Sequence, residues 1–325
     1  MPHALSNARA IEAHFLRNAL DVLIIGTGSA GLSAALCLGR LRRSAAIFYS
    51  DGDSRPARPD LHVGDGKRTT SVQTDMIEEL KTKFKTVLFT NTTARSVRER
   101  GMIFEVVDRA GQCWKGRKVI IAMGSHESLP DIPGYYDLRG TKIRFDCFQY
   151  HGIETSHATC AAALITSDDE ESVDSAILSA HLVRQYTPDI TLLVNGLRHV
   201  EQHPHVIATA NRCFKINSKA VKHLLKAGPE SIIVEFADGT KAMYGFIAHK
   251  TRSDIKGSFT RELDLEMTAQ GRILVEGDFH ETSIRGVFAA GSCASIINDE
   301  AREINSGMAA SMGVNLQIAE DDTSL

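Results

Sequence analysis

Residues 21–36 read DVLIIGTGSAGLSAAL, and this stretch decides the fold. The apolar run at 21–25 has the length and character of a buried strand. The turn GTGSAG follows at 26–31, and a helical pattern then extends from Leu32 to Leu41. A strand, a glycine-rich turn and a helix in direct succession predict the first unit of an α/β fold with a parallel sheet.

The three glycines of this turn have separate physical roles. Gly26 allows the tight turn, Gly28 lets the backbone approach a diphosphate, and Gly31 lets helix and strand pack closely. The diphosphate would lie on N–H groups at the start of the helix. Asp51 follows 20 residues after Gly31, where an acid that binds the ribose is expected. The sequence therefore predicts a dinucleotide site, and the alternative is a turn that serves only packing.

The rest of the chain continues the alternation of strands and helices. The segment LPDIPG at 129–134 contains two prolines and a glycine and is typical of a linker. The other predicted elements, in chain order, are a strand at 45–49, a helix at 72–85, strands at 86–90, 93–99, 102–108 and 112–121, a β-α-β unit over 160–195, strands within 231–248, a strand at 286–291 and a helix at 303–320. One α/β domain with another inserted in it is the predicted organisation.

Composition narrows the classes of function. A chain of 325 residues with 43% hydrophobic and 24% charged residues is typical of a soluble protein of two domains. The net charge of −3 offers no electrostatic basis for binding nucleic acid or an anionic membrane. No apolar run is long enough for a membrane-spanning helix. The six cysteines lack the spacing of a zinc site or a CxxC pair, so we expect no metal, and free thiols in a reducing cytoplasm.

Three segments resemble the thioredoxin-reductase-like FAD flavoproteins. Residues 21–36 resemble their first FAD motif, residues 119–134 (VIIAMGSHESLPDIPG) their crossover motif, and residues 282–293 (TSIRGVFAAGSC) their second FAD motif. Within that family, residues 245–273 are similar to fungal dithiol oxidases of the gliotoxin sulfhydryl oxidase type, including the His249-Lys250 pair. The likeness extends over nearly the whole chain.

The resemblance implies the two-domain fold of thioredoxin reductase. An FAD-binding domain would comprise residues 1–125 and 245–325, and a smaller NADPH-type domain would be inserted at 126–244. It also implies a homodimer that acts on a small molecule. The residues carried over to the FAD site are Gly26, Gly28, Ser29, Ala30, Gly31, Asp51, Val97, Gly124, Gly291 and Ser292.

The family's CxxC centre is altered here. In the dithiol oxidases this pair is followed by His and Gly, and the matching stretch is CFQYHG at 147–152. Cys147 remains, but Tyr150 replaces the second cysteine, and a single thiol cannot form the intramolecular disulfide that passes electrons to the flavin. Cys147 is then a buried remnant or the site of a mixed disulfide. His151 is a structural group or a general acid/base beside the flavin. Tyr150 fills the vacated space, donates a hydrogen bond or acts as an acid.

The inserted domain lacks a glycine turn for NADPH. Residues 165–171 read ITSDDEE, and the charge and bulk of four consecutive acids oppose a diphosphate. These acids would instead cap a helix, so we expect NADPH binding to be lost. In the second FAD motif, Ser292 replaces the aspartate that holds the ribityl chain, and serine binds more weakly. The acids from Asp299 to Glu303 either oppose the charge of a reduced flavin or form a solvated helix start.

Three functions follow from these observations. The first is an FAD-dependent, NADPH-independent oxidoreductase without a redox dithiol, with oxygen as acceptor and His151 as acid/base. Its substrate would be a small fungal secondary metabolite of the diketopiperazine class, which is implied by the resemblance alone. The second is a flavin-independent acid/base enzyme, such as a cyclase, lyase or isomerase. The third is a non-catalytic relative that binds a ligand or partner.

Overall fold

The computed structural model describes residues 19–49, 62–63, 67–144, 159–210, 214–228, 231–255, 257–296 and 299–323. The described residues up to 126, with those from 254 onward, form one compact unit, and residues 127–253 form the other. The chain therefore returns to the first unit later than the predicted boundary at 245. The reason is that residues 246–248 form a strand paired with residues 161–163 of the second unit.

The strands of the described part are short apart from one of 14 residues. In chain order they are β1 Leu20–Ile25, β2 Ala45–Tyr49, β3 His62–Val63, β4 Lys67–Arg68, β5 Val87–Arg100, β6 Ile103–Asp108, β7 Cys113–Ile121, β8 Ser125–Ser128, β9 Ile143–Arg144, β10 Cys160–Leu164, β11 Asp189–Leu193, β12 Lys215–Asn217, β13 Val221–Ala227, β14 Ser231–Phe236, β15 Lys241–Tyr244, β16 Phe246–Ala248, β17 Arg252–Ile255 and β18 Val287–Ala289.

The helices vary from single turns to one of 24 residues. In chain order they are α1 Ser29–Arg40, α2 Thr69–Lys83, α3 Tyr135–Leu138, α4 Glu170–Val183, α5 Arg198–Glu201, α6 Pro204–Ala210, α7 Phe259–Glu262 and α8 Glu300–Thr323, with a 3₁₀ turn at Gly291–Cys293. Within the described ranges, none of these helices is both long and apolar enough to cross a bilayer.

A six-stranded sheet forms the framework of the first unit. β1 pairs in parallel with β2 on one side and with β7 on the other, and β18 adds in parallel beyond β7. β5 pairs in parallel with β2 through its first half and in antiparallel fashion with β6 through its second half. The two strands predicted at 86–90 and 93–99 are therefore one. Because β1, β7 and β18 run in the same direction, the turns that follow them meet at one edge of the sheet.

Helix α1 is buried along most of its length because it is enclosed by the sheet and by α8. Small residues permit this close packing. A Cβ at Gly307 of α8 would lie 2.1 Å from the carbonyl oxygen of Ala30. The start of α1 is thus held between β1 and α8, which fixes the turn that precedes it.

The second unit contains a five-stranded parallel sheet in the order β12-β11-β10-β16-β9. Helix α4 follows β10 and packs on this sheet with a buried face that includes Val173, Ala176, Ala180 and Val183. β13, β14 and β15 form a separate antiparallel sheet. The β10-α4-β11 segment repeats the β1-α1-β2 arrangement, and the turns that open α1 and α4 can therefore be compared directly.

Candidate cofactor site

The turn between β1 and α1 is shaped by two glycines that touch backbone. Gly26 has a φ of +118°, and a Cβ there would lie 2.1 Å from the carbonyl oxygen of Ala122. A Cβ at Gly31 would lie 2.0 Å from the carbonyl oxygen of Gly26. Neither position can hold a larger residue without moving the backbone. These two glycines have the structural roles that the motif predicts.

Gly28 is different because the fold itself does not require a glycine there. Its backbone is extended, with φ −70° and ψ 178°, and no heavy atom of the described residues lies within 4 Å of a Cβ built on it. Gly28 is also the N-cap of α1 and provides no side-chain cap for the first N–H groups of the helix. A helix start that no described side chain of its N-cap residue covers, with room for a close approach of the backbone, is the environment that a diphosphate requires.

The turns after β7 and β18 meet this helix start. A Cβ at Gly291 would lie 2.9 Å from the Cβ of Ala30, and a Cβ at Gly124 would lie 3.8 Å from Oγ of Ser292. The parallel direction of the strands brings these distant parts of the sequence together. The predicted residues assembled at this edge are Gly26, Gly28, Ser29, Ala30, Gly31, Gly124, Gly291 and Ser292.

Ser29, the first residue of α1, connects the turn to two other helices. Its hydroxyl donates to Oε1 of Glu300 over 3.2 Å and accepts from Nε2 of Gln73 over 3.0 Å. The second carboxylate oxygen of Glu300, Oε2, is buried and has no hydrogen-bond partner among the described residues. Burial raises the pKa of Glu300, although the hydrogen bond from Ser29 acts in the opposite direction. The sequence indicated acids near this point, but no local signal indicated their contact with the turn.

The remaining predicted site residues are not brought to this edge by described contacts. Val97 is fully buried, and its backbone N–H donates to Oε2 of Glu262 over 2.7 Å. This amide is therefore used within the chain and is not open to a cofactor, so a role of Val97 toward FAD stays a prediction. Asp51, Cys147, Tyr150 and His151 lie outside the described residues.

The turn between β10 and α4 contains a carboxylate that caps the helix. Asp169 is the N-cap of α4, and its carboxylate accepts from the backbone N–H of Ser172 over 2.9 Å and from the Ser172 hydroxyl over 2.8 Å. Partial burial acts to raise the pKa of Asp169, but the hydrogen bonds from Ser167 and Ser172 outweigh it and hold the pKa below its ordinary value. The place that a diphosphate would need at this helix start is filled by the chain's own carboxylate.

A buried hydrogen-bonded chain of three side chains lies at the same edge of the second unit. His249, which follows β16, is 3% exposed; its Nδ1 lies 2.5 Å from the Tyr135 hydroxyl and its Nε2 lies 3.0 Å from Oγ1 of Thr166. Burial lowers the pKa of His249 to about 4, so the ring is neutral at pH 7, with one nitrogen donating and the other accepting. The sequence marked His249 only through its resemblance to the dithiol oxidases, and it did not indicate the two hydroxyl partners.

The thiols in the described part of the chain are free, and the one in the 3₁₀ turn after β18 is fully buried. They are Cys37, Cys113, Cys160 and Cys293. Cys293 is fully buried, its thiol donates to the carbonyls of Ile121 and Ala290, and burial raises its pKa to about 12. A thiol that does not ionise near pH 7 cannot substitute for a redox cysteine. In the same described ranges, no three His, Cys, Asp or Glu side chains are grouped so as to hold a metal ion.

Comparison with known proteins agrees with this architecture. Residues 20–171 match the family model described as pyridine nucleotide-disulphide oxidoreductase. The chain is 34% identical over 309 residues to thioredoxin reductase sirT of Leptosphaeria maculans, covering 91% of this chain and 94% of that protein. It is 29% identical over 307 residues to thioredoxin reductase aclD of Aspergillus oryzae, covering 93% of this chain and 97% of that protein.

Solved structures show the same fold. The crystal structure of an oxidoreductase from Agrobacterium tumefaciens superposes with a TM-score of 0.76 at 23% sequence identity, covering 93% of this chain and 99% of that one. The fold is therefore the α/β fold of thioredoxin-reductase-like proteins. The chain belongs to the thioredoxin-reductase-like family of pyridine nucleotide-disulfide oxidoreductases.

Proposed function

We propose that this protein is an FAD-dependent oxidoreductase that uses neither NADPH nor a redox dithiol. The observation that carries the proposal is the contrast between the two helix starts. Among the described residues, nothing lies within 4 Å of a Cβ position at Gly28 and no side chain of Gly28 caps α1, whereas the turn at Asp169 is capped by a carboxylate. A diphosphate is therefore favoured at α1 and disfavoured at α4.

The residues around α1 fit FAD. Its diphosphate would bind the N–H groups at the start of α1, with Gly28 leaving room for the approach. The Ser292 hydroxyl, beside Gly124, would supply a hydrogen bond to the cofactor. When bound, FAD supplies the capacity to accept a hydride equivalent from a substrate and to pass the electrons to oxygen.

The catalytic part of the proposal depends on residues 147–152. Tyr150 in place of a cysteine removes the internal disulfide route, so the substrate would be oxidised without a protein dithiol. His151 would accept or donate the substrate's proton, since an ordinary imidazole titrates near neutral pH. A small diketopiperazine-like substrate of fungal secondary metabolism, a homodimeric assembly and a cytoplasmic location complete the proposal and are supported by the family resemblance.

The test is FAD uptake by purified protein, measured by equilibrium dialysis and by the visible absorbance of the retained flavin. The wild-type protein should retain FAD. Gly28→Ala should fold normally, because its Cβ meets nothing in the described chain, and should lose most of its flavin at a concentration that saturates the wild type. Asp169→Ala, the control at the second turn, should retain FAD as the wild type does. A colourless wild-type protein that takes up no FAD would overturn the proposal.

A second function is favoured by the carboxyl group of Glu300 at the FAD turn and by Ser292 in place of the usual aspartate. Both features weaken the case for flavin, and an acid/base cyclase, lyase or isomerase would need none. In that case His151→Ala should abolish turnover, while added FAD and removal of oxygen should change nothing. Turnover that depends on oxygen would exclude this alternative.

A further inference from the structure

Glu300 contacts the start of α1 through its side chain. It is the first residue of α8, but the start of α8 is already capped by Asp299, whose Oδ1 accepts from the backbone N–H of Arg302 over 2.8 Å. The Glu300 carboxyl group instead accepts from the hydroxyl of Ser29, the first residue of α1. It therefore lies beside the start of α1, where Gly28 provides no side-chain cap.

The charge of Glu300 is not neutralised by the described residues. Arg302 pairs with Asp299 over 3.2 Å, and no described Lys or Arg forms an ion pair with Glu300. The polar groups from the other helices packed here are the hydroxyl of Ser29 and the amide of Gln73, which is uncharged. The next acid on the same helix, Glu303, has its Cγ 4.0 Å from a Cβ position at Gly291.

We propose that Glu300 opposes FAD as a carboxylate and admits it when protonated, so that FAD binding takes up one proton. The inference rests on the proposed function. A diphosphate on the N–H groups of α1 would lie next to Ser29 and thus close to Glu300, and like charges in a partly buried site repel. A proton on Oε2, which has no hydrogen-bond partner among the described residues, removes this repulsion and turns that oxygen into a donor.

The sign of the pH dependence follows from linkage. Burial already raises the pKa of Glu300 in the free protein, and a neighbouring diphosphate would raise it further in the complex. The complex then binds more protons than the free protein at pH values between the two pKa values. FAD affinity must therefore fall as the pH rises through that interval.

The experiment compares the dissociation constant for FAD of wild-type protein, Glu300→Gln and Asp299→Asn, measured by equilibrium dialysis between about pH 5 and pH 8. The wild-type constant should rise with pH by up to about tenfold per pH unit, the limit for one linked proton. Glu300→Gln should bind about tenfold more tightly than wild type at the upper pH, with little pH dependence. Asp299→Asn removes the same charge one residue away, keeps a capping side chain and should behave as wild type.

Thermal unfolding of the three proteins without FAD is the check that each of them is folded. Equal affinities and equal pH profiles for wild type and Glu300→Gln would overturn the proposal while leaving FAD dependence intact. Weaker binding by Glu300→Gln would also overturn it, because the carboxylate would then be a ligand of the cofactor. Failure of all three proteins to bind FAD at any pH would overturn both this inference and the proposed function.

Discussion

The turns that precede α1 and α4 have the same strand-turn-helix arrangement but differ in whether a side chain caps the helix. Each follows a buried parallel strand and precedes a helix. In the first, Gly28 leaves the helix start uncapped; in the second, Asp169 caps the helix and Thr166 contacts His249. We therefore expect that a dinucleotide binds such a turn only where the chain has not already satisfied the turn's polar groups. The parallel strand-turn-helix-strand arrangement is the same in both cases.

The largest expected effect separates the two kinds of glycine in the first turn. Gly31→Ala should lower the free energy of unfolding of the first unit by roughly 3 kcal/mol or more, because its Cβ would lie 2.0 Å from a backbone oxygen. Gly28→Ala should cost little, because nothing in the described chain opposes its Cβ. Urea unfolding followed by the fluorescence of Trp114, which lies in β7, measures both. Equal destabilisation by the two substitutions would contradict the assignment of Gly28 to ligand binding.

We expect the stability of the second unit to fall in acid because of His249, which contacts Thr166 in the turn before α4. The pKa of this ring is about 4 in the folded protein and about 6.5 in an unfolded chain, so the unfolded state binds more protons between these values. The stability of the second unit should be maintained above about pH 6.5 and fall as the pH drops toward 4, by up to about 1.4 kcal/mol per pH unit. Urea unfolding followed by circular dichroism across this range measures the slope.

The control for this slope is a pair of variants. His249→Gln should remove much of the acid sensitivity, whatever its effect on stability at pH 7. His205 is exposed and its pKa is raised by Asp174, so its contribution has the opposite sign and is lost as the pH rises. His205→Gln should therefore leave the acid-side slope in place. A slope that is unchanged in His249→Gln would show that other groups cause it.

The smallest expected effect concerns the cap of the second turn. Asp169→Ala should destabilise the second unit by about 1 kcal/mol at pH 7, since it removes the acceptor for the Ser172 N–H. It should not create an NADPH site, because no glycine lets the backbone approach and three acids remain. Thermal unfolding and NADPH dialysis test the two parts. NADPH binding by this variant would mean that one carboxylate alone separates the two turns.

Several elements were predicted from the local sequence pattern alone. The structure has β2 at the predicted bounds, 45–49, and begins α1 three residues before the predicted start because the helix includes the end of the glycine turn. α8 likewise begins at residue 300, before the predicted 303, because Asp299 caps it. The sequence pattern predicted two strands where the structure has β5 alone. The partner of β5 changes from β2 to β6 along its length, and hydrophobic periodicity does not reveal such a change.

Local sequence was sufficient to predict the strand, the glycine turn and the helix at the start of the first unit. It was also sufficient to predict that acids cap the helix after the second turn. Those features depend on backbone freedom and on charge within a few residues. It was not sufficient for the contact between Ser29 and Glu300, which are 271 residues apart, or for the meeting of Tyr135 and Thr166 at His249. Such contacts depend on the order and direction of the strands, because these decide which distant turns meet at one edge of a sheet. Which groups lie beside the turn that opens α1 was therefore decided by the tertiary structure.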